Sequence, residues 1–318
     1  MDVKKSRVFP LLALVGPTAS GKTQIAMELA AKFDRLELVS IDSMTVYRLM
    51  DVGTAKPGQK DLEGIRYHLL DMVDPWEEYS VYEFQRDARL VLNEIAERKG
   101  IALLVGGTGL YYQAMVDGLV IPGRWPEIRI ELEAIAGTEQ GVALLYERLR
   151  KLDPIGAMKM QPTNARRIVR ALEVTLGSGK PFSEHGPGLF ADSAKTVQAV
   201  GIDLPRSLLF ERIERRLDHL LASGWTEEVA NLINDPRGAS RTARQALGYK
   251  EIINFLEGNS TLEEARLEIL SRSKRFAKRQ LAWFRRDPRI AWFNTAESAK
   301  IELVSILSSI AKFPSSDQ

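Results

Sequence analysis

Leu11 to Val15 is a short, uninterrupted apolar run that stops at Gly16-Pro17. After a glycine-containing turn, apolar positions from Gln24 to Phe33 recur at helical spacing, so the pattern predicts strand, loop and helix in that order. Leu36 to Ile41 predicts a second strand, which ends at Asp42-Ser43. From Val81 to Arg98 the apolar residues Val81, Phe84, Ala88, Val91, Leu92 and Ile95 form one stripe, which predicts an amphipathic helix. Ile101 to Val105 is apolar throughout, as a strand covered on both faces must be, and runs into Gly106-Gly107-Thr108-Gly109. Strands and helices alternating in this way predict an α/β fold with a parallel sheet flanked by helices.

The pattern changes after Gly118. Arg124 to Gly177 reads as helices alone, and Gly179 to Ser193 is a connection containing Gly, Pro and Ser. A strand-like segment, Thr196 to Ile202, restores the α/β character, and helices follow from Ser207 to Ser223 and on to about Arg286. The expected organisation is a core from 1–119 and 196–318, interrupted by an all-helical insertion at 120–195. Pro314 to Gln318 reads as a frayed end.

The chain has 318 residues, 45% hydrophobic and 27% charged, an ordinary globular composition. It has no apolar run of the ~18 residues that a membrane span needs. The stretch behind Lys4, Lys5 and Arg7 runs into the glycine turn without a cleavage site, so a cytoplasmic protein is expected. Nothing signals oligomerisation, and a monomer is the default. Cysteine is absent, and the histidines are His68, His185 and His219 alone. Thiolate and His-rich metal centres are therefore excluded or disfavoured; a metal here would be a hard cation held by oxygen and phosphate.

The net charge of +2 conceals local clusters. Arg272, Lys274, Arg275, Lys278, Arg279, Arg285, Arg286 and Arg289 stand against one acid, Asp287, and Arg166, Arg167 and Arg170 form a second group. Such clusters are either a polyanion surface or a solvated helix face. Phe276, Trp283, Phe284, Trp292 and Phe293 accompany the first cluster, either as stacking planes for RNA bases or as packing against the core.

The most specific motif is Gly16, Pro17, Thr18, Ala19, Ser20, Gly21, Lys22 and Thr23, a complete G-x4-G-K-T loop between strand and helix. Its amides and the helix N-terminus bind phosphate oxygens, Lys22 adds a point charge, and Thr23 offers a hydroxyl to Mg²⁺. The sheet is thus expected to be P-loop NTPase-like. The strand Ile101 to Val105, however, lacks the terminal acid of a phosphoryl-transferring enzyme. The acid at a strand end is instead Asp42, free to ligate metal, accept a proton or cap the following turn. Arg212 and Arg216, four residues apart on a predicted helix, share a face that could meet pyrophosphate or solvent.

With these residues in view, the chain closely resembles the bacterial tRNA dimethylallyltransferase (isopentenyl-tRNA or IPP transferase) family. The resemblance rests on Gly-Pro-Thr-Ala-Ser-Gly-Lys-Thr (16–23), Ser-Ile-Asp-Ser-Met-Thr-Val-Tyr (40–47) and Met-Asp-Val-Gly-Thr-Ala-Lys-Pro (50–57). It continues through Leu-Val-Gly-Gly-Thr-Gly-Leu-Tyr (104–111), Arg-Arg-Ile-Val-Arg-Ala-Leu-Glu-Val (166–174), Gln-Ala-Leu-Gly-Tyr-Lys-Glu (245–251) and Ala-Lys-Arg-Gln-Leu-Ala-Trp-Phe-Arg (277–285). It departs at Trp125-Pro126, where the family often has Asp-Pro, and at Arg66-Tyr67, where Pro-His is common.

The resemblance implies transfer of a dimethylallyl group from dimethylallyl diphosphate to N6 of adenosine 37, in the anticodon stem-loop of tRNAs reading codons that begin with U. It implies Asp42 as general base, Arg216 assisting the diphosphate, Thr108 in the reaction channel, and the loop with Mg²⁺ at Thr23 holding the diphosphate. It implies tRNA contacts at Asp42, Ser43, Met44, Thr45, Thr108 and Arg129, and at Arg166, Arg167, Ile168, Val169 and Arg170. Further contacts are implied at Gln245, Gly248, Tyr249 and Lys250, and at Lys274, Arg275, Lys278, Arg279 and Gln280. Three alternatives remain at this point: a P-loop kinase, a prenyltransferase for free adenine nucleotides, and a non-enzymatic RNA-binding module.

Overall fold

The computed structural model of the chain describes residues 11–185 and 197–312. Six strands form one sheet: β1 (Leu11–Val15), β2 (Leu36–Ser40), β3 (Tyr67–His68), β4 (Ile101–Gly106), β5 (Val197–Ile202) and β6 (Ile290–Phe293). Their order is β3-β2-β4-β1-β5-β6, and every adjacent pair is parallel. The fold is α/β, as the alternation required. β1 is central and buried beyond its first residue, consistent with its unbroken apolar run.

The chain divides into two compact units, Asp117–Ser193 and the remainder. The larger unit carries α1 (Lys22–Ala30), α2 (Val81–Glu97) and α3 (Gly109–Val116) before the division. In the smaller unit, α4 (Pro126–Ala136), α5 (Gly141–Leu152), α6 (Pro154–Met158) and α7 (Ala165–Ser178) enclose a core of Leu132, Leu145, Leu149, Ile168, Val169 and Leu172. After it, the larger unit resumes with β5, α8 (Arg206–Ala222), α9 (Trp225–Asn234), α10 (Arg241–Arg244) and α11 (Tyr249–Leu256). α12 (Leu262–Phe284), β6 and α13 (Ala296–Lys312) complete it.

Among the elements without a counterpart in the sequence pattern are β3, β6 and α13. β3 has only two residues, too few for any periodicity to register. β6 is four residues long, and its aromatics Trp292 and Phe293 read as part of the preceding basic stretch. Thr196 and Pro314 to Gln318, to which the sequence assigned a strand start and a frayed end, lie outside the described residues.

The registers align the strand ends. Val15 lies opposite Gly106 on one side and Gly201 on the other, and Ser40 lies opposite Val105. The loops after β1, β2 and β4 therefore emerge at one edge, beyond the carboxyl ends of parallel strands, where open α/β sheets bind ligands.

Candidate active site

The Gly16 to Thr23 loop joins β1 to α1. Gly16 has φ 150°, and a Cβ there would stand 2.8 Å from the Ile202 carbonyl oxygen, so β5 packs where a side chain would be. Gly21, at φ 94°, turns the chain into α1. Lys22 is buried and folds back on the loop: its Nζ donates to the Pro17 carbonyl at 2.6 Å and to Ser20 Oγ at 3.3 Å. Burial lowers its pKa to about 7; the Asp42 carboxylate opposes this shift and the Arg216 guanidinium adds to it.

Asp42 stands two residues beyond β2. Its Oδ1 accepts from the Met44 amide at 2.9 Å, so one carboxylate oxygen closes the local turn. The loop is pinned further by Ser40 and Thr45, whose hydroxyls meet at 2.9 Å, and by Thr108, whose Oγ1 accepts from the Ser43 amide at 3.1 Å. Thr108 and Thr45 thus act here by holding the Asp42 loop.

Arg216, on α8, donates through Nη2 to the Thr54 carbonyl at 3.2 Å. Burial depresses its pKa and Asp42 counters that, which puts the two charges within electrostatic reach. The loop carrying Thr54 is tightly held. Glu228 on α9 accepts from the amides of Asp51 and Val52 at 2.6 Å each and of Gly53 at 3.1 Å, while Tyr249 donates its hydroxyl at 2.7 Å. Lys56 donates to the Tyr47 carbonyl at 2.7 Å and pairs with Asp51 and Asp71 at 2.5 and 2.6 Å. The Gly-Thr-Ala-Lys-Pro element is therefore a clamped loop that aims a carbonyl at Arg216. A Cβ at Gly53 would lie 2.0 Å from Trp225 Nε1, which explains its glycine.

The glycines after β4 make room for α12. A Cβ on Gly107 would be 2.2 Å from Gln280 Nε2, and one on Gly109 would be 2.1 Å from Trp283. Gln280 is buried; its Oε1 accepts from the Thr18 amide and its Nε2 donates to the Gly107 carbonyl, both at 2.9 Å. Close helix packing thus occupies the strand end where a kinase would carry its acid.

These groups surround a cavity of about 520 Å³. Lys22, Thr23, Arg212, Arg215, Arg216, Asp42 and Tyr67 line it, and Leu70, Val105, Pro57 and Phe276 add apolar wall. The lining thus offers cations for a phosphorylated ligand, a carboxylate and apolar surface in one cavity. Among the described residues no group of three or more His, Cys, Asp or Glu could hold a metal ion.

The chain matches the family model for IPP transferase over residues 45–287. The tRNA dimethylallyltransferase of Carboxydothermus hydrogenoformans is 42% identical over 292 residues, 91% of this chain and 93% of that protein. The chain belongs to the IPP transferase family. It is a tRNA dimethylallyltransferase, a transferase of tRNA modification. Among solved structures, a tRNA isopentenylpyrophosphate transferase from Bacillus halodurans is 36% identical, with TM-score 0.68 over 95% of this chain and 98% of that one. A eukaryotic dimethylallyltransferase acting on tRNA is 25% identical, with TM-score 0.81 over 97% of this chain and 81% of that one.

Several positions that the family resemblance marks as tRNA contacts have other work in this member. Ile168 and Val169 are buried in the core of the smaller unit, because an amphipathic α7 turns that face inward; Arg166 and Arg167 are exposed. Arg129 and Arg170 both pair with the buried Glu173, at 3.5 and 2.9 Å, and Arg170 also donates to the Pro122 carbonyl at 2.9 Å. Glu173 also accepts from the Trp125 amide at 3.0 Å, which gives the departure at Trp125-Pro126 its own support. Tyr249 is buried against Trp225, the Gly248 amide donates to Glu251, and Gln280 ties the P-loop to β4. Gly248, Tyr249 and Gln280 are thus buried, whereas Gln245 and Lys250 are exposed.

The basic stretch in the larger unit is partly neutralised, by its own Asp287 and by acids from elsewhere in the fold. Arg272 pairs with the buried Glu251, Arg285 with Asp203, and Arg289 with Asp287. Lys274 and Lys278 instead lie 5.4 and 5.6 Å from the Phe210 ring of α8, and Arg206 lies 5.2 Å from it. Arg275 and Arg279 are exposed. Of the aromatics read as possible stacking planes, Phe284 is buried, Trp283 packs over Gly109, Trp292 packs on Gly201, and Phe276 lines the cavity. Sequence reasoning assigned no role to Glu228, Lys56 or Tyr67; only the Gly-Thr-Ala-Lys-Pro run signalled the loop that the first two hold. No described helix is long and apolar enough to cross a membrane.

Proposed function

We propose that this enzyme transfers the dimethylallyl group of dimethylallyl diphosphate to N6 of adenosine 37 in tRNAs reading codons that begin with U, acting as a cytoplasmic monomer. The observation that carries the reading is one cavity holding Asp42, Lys22 and Arg216 beside a complete phosphate loop, with no acid after β4. The allylic C1–O bond to diphosphate breaks as the N6–C1 bond forms. The carboxylate of Asp42, its Oδ1 already fixed by the Met44 amide, takes the proton that N6 loses. Lys22, the loop amides, Arg216 and Arg212 stabilise charge on the departing diphosphate, so binding energy acts on the leaving group and no phosphoryl acceptor is needed.

Thr23 lines the cavity and fits Mg²⁺, which takes few protein ligands and completes its shell from phosphate oxygens and water. The cation would supply charge neutralisation for the diphosphate. The acceptor base must leave the anticodon stack to reach Asp42. Arg166 and Arg167 on one unit, and Lys274, Arg275, Lys278 and Arg279 on the other, contact the stem-loop backbone.

The test is transfer of labelled dimethylallyl to an anticodon stem-loop carrying A36-A37-A38. Replacing A37 by G should abolish labelling; persistent transfer would remove the N6 assignment.

A further inference from the structure

Tyr67 stands on β3, the edge strand of the sheet, where its Cα pairs in register with Leu38 of β2. Asp42 follows two residues beyond the end of β2; Tyr67 and Asp42 line the same cavity, and the carboxylate is close enough to act electrostatically on the phenol. β3 is anchored from its other face: His68 Nε2 lies 2.7 Å from the buried Glu37, which also holds Arg98 at 2.6 Å. Among the described residues the Tyr67 hydroxyl has no hydrogen bond. Burial and the nearby Asp42 carboxylate raise its pKa, so the phenol keeps its proton and remains a donor. The cavity thus presents an acceptor, Asp42, next to an unused donor.

Adenine presents the complementary pair. Its exocyclic amine donates, and the ring nitrogens on either side, N1 and N7, accept; guanine places an acceptor where adenine has that amine. We infer that Tyr67 is a specificity-determining residue, donating its phenolic hydrogen bond to a ring nitrogen of the acceptor base while Asp42 accepts from the adjacent amine. The inference rests on the adenosine reading above. A site that hydrogen-bonds its substrate rejects an analogue lacking the partner more sharply than an apolar pocket does.

The test combines Tyr67→Phe with stem-loops carrying adenosine, 1-deazaadenosine or 7-deazaadenosine at position 37. Wild-type transfer to the adenosine stem-loop, and its loss in Asp42→Ala, establishes the underlying reading independently. On that footing Tyr67→Phe should lower kcat/KM about 5- to 50-fold with adenosine, the worth of a hydrogen bond left unmade. One of the two deaza substrates should cost the wild type a similar factor and cost Tyr67→Phe nothing further. Unchanged diphosphate affinity and thermal stability in Tyr67→Phe would confirm that the scaffold is intact. Equal kcat/KM for variant and wild type on adenosine, or losses that multiply for both deaza substrates, would overturn the assignment.

Discussion

Gln280 and Thr18, 262 residues apart, meet at 2.9 Å: the glutamine's Oε1 accepts the phosphate-loop amide while its Nε2 holds the Gly107 carbonyl. A side chain from α12 therefore fixes the spacing between the loops that follow β1 and β4. α12 can carry it there because the helix is capped at its start, with Thr261 and Glu264 forming a reciprocal capping box.

Gln280→Ala leaves the buried Gly107 carbonyl and the part-buried Thr18 amide without this partner, a cost of about 1–3 kcal/mol for the buried group and less for the other. The expected result is a lower melting temperature with a raised KM for dimethylallyl diphosphate, and a smaller change in tRNA affinity. Calorimetry and steady-state kinetics read both; a KM effect confined to tRNA would return Gln280 to an RNA-contacting role.

On the proposed reading Asp42 adds a proton-accepting role to the turn contact it makes with the Met44 amide. Asp42→Asn keeps an oxygen to accept from the Met44 amide, so the turn and tRNA binding should survive, but the amide cannot take the N6 proton. Turnover should fall by about 10²- to 10⁴-fold, the usual worth of a general base. If Asp42→Asn retained wild-type turnover while Asp42→Ala lost it, the side chain would be a turn cap and nothing more.

Glu228 accepts backbone amides of the loop whose Thr54 carbonyl meets Arg216, and it does not itself line the cavity. Glu228→Gln replaces one accepting oxygen with a donating NH₂ that opposes the loop. Charged hydrogen bonds of this kind are worth about 1.5–3 kcal/mol each. The variant should show a lower kcat and unchanged tRNA binding by filter or fluorescence titration. Full turnover in Glu228→Gln would show that the loop holds Arg216 without it.

The core was legible in the sequence because its signals are local. β1 needs only five apolar residues, and the phosphate loop is contiguous from Gly16 to Thr23. Asp42 was legible because it ends an apolar run. Glu228 was not, since in Trp225-Thr-Glu-Glu-Val it looks like any acid in a helix's first turn, and its partners lie in a loop far upstream. Gln280 was read as part of an RNA-binding surface because a polar residue among lysines and arginines suggests solvent, and only long-range packing turns it inward. The same holds for Arg272 and Arg285, whose acids, Glu251 and Asp203, are supplied from elsewhere in the chain.

Lys274 and Lys278 lie near Phe210, and on the proposed reading they neutralise phosphates of the tRNA backbone. Replacing either by Ala should weaken tRNA binding and lower the salt dependence of log Kd by about one unit of slope for each phosphate no longer neutralised. Transfer at saturating tRNA should be unaffected. A fall in kcat with an unaltered salt slope would place these lysines in the chemistry instead.

Lys22 gives the site a pH signature. Its folded pKa is about 7 against an ordinary 10.5, so between those values the folded state carries fewer protons than the unfolded chain. Its contribution to stability therefore rises with pH across that window, and the cost of burying the charge is fully present below about 7. A bound diphosphate reverses the balance by supplying the counter-charge that burial denies. At pH 8 the free enzyme holds Lys22 mostly neutral, and binding must draw a proton onto it. Titration of inorganic diphosphate in buffers of different ionisation enthalpy should reveal this uptake, beyond what the ligand's own titration requires. Lys22→Arg, charged throughout, should lack the extra uptake, and its affinity should fall less than that of the wild type as pH rises from about 7 to about 9. Identical proton uptake in both proteins would mean that Lys22 is already charged in the empty site, and that the phosphate loop is poised by its amides and arginines alone.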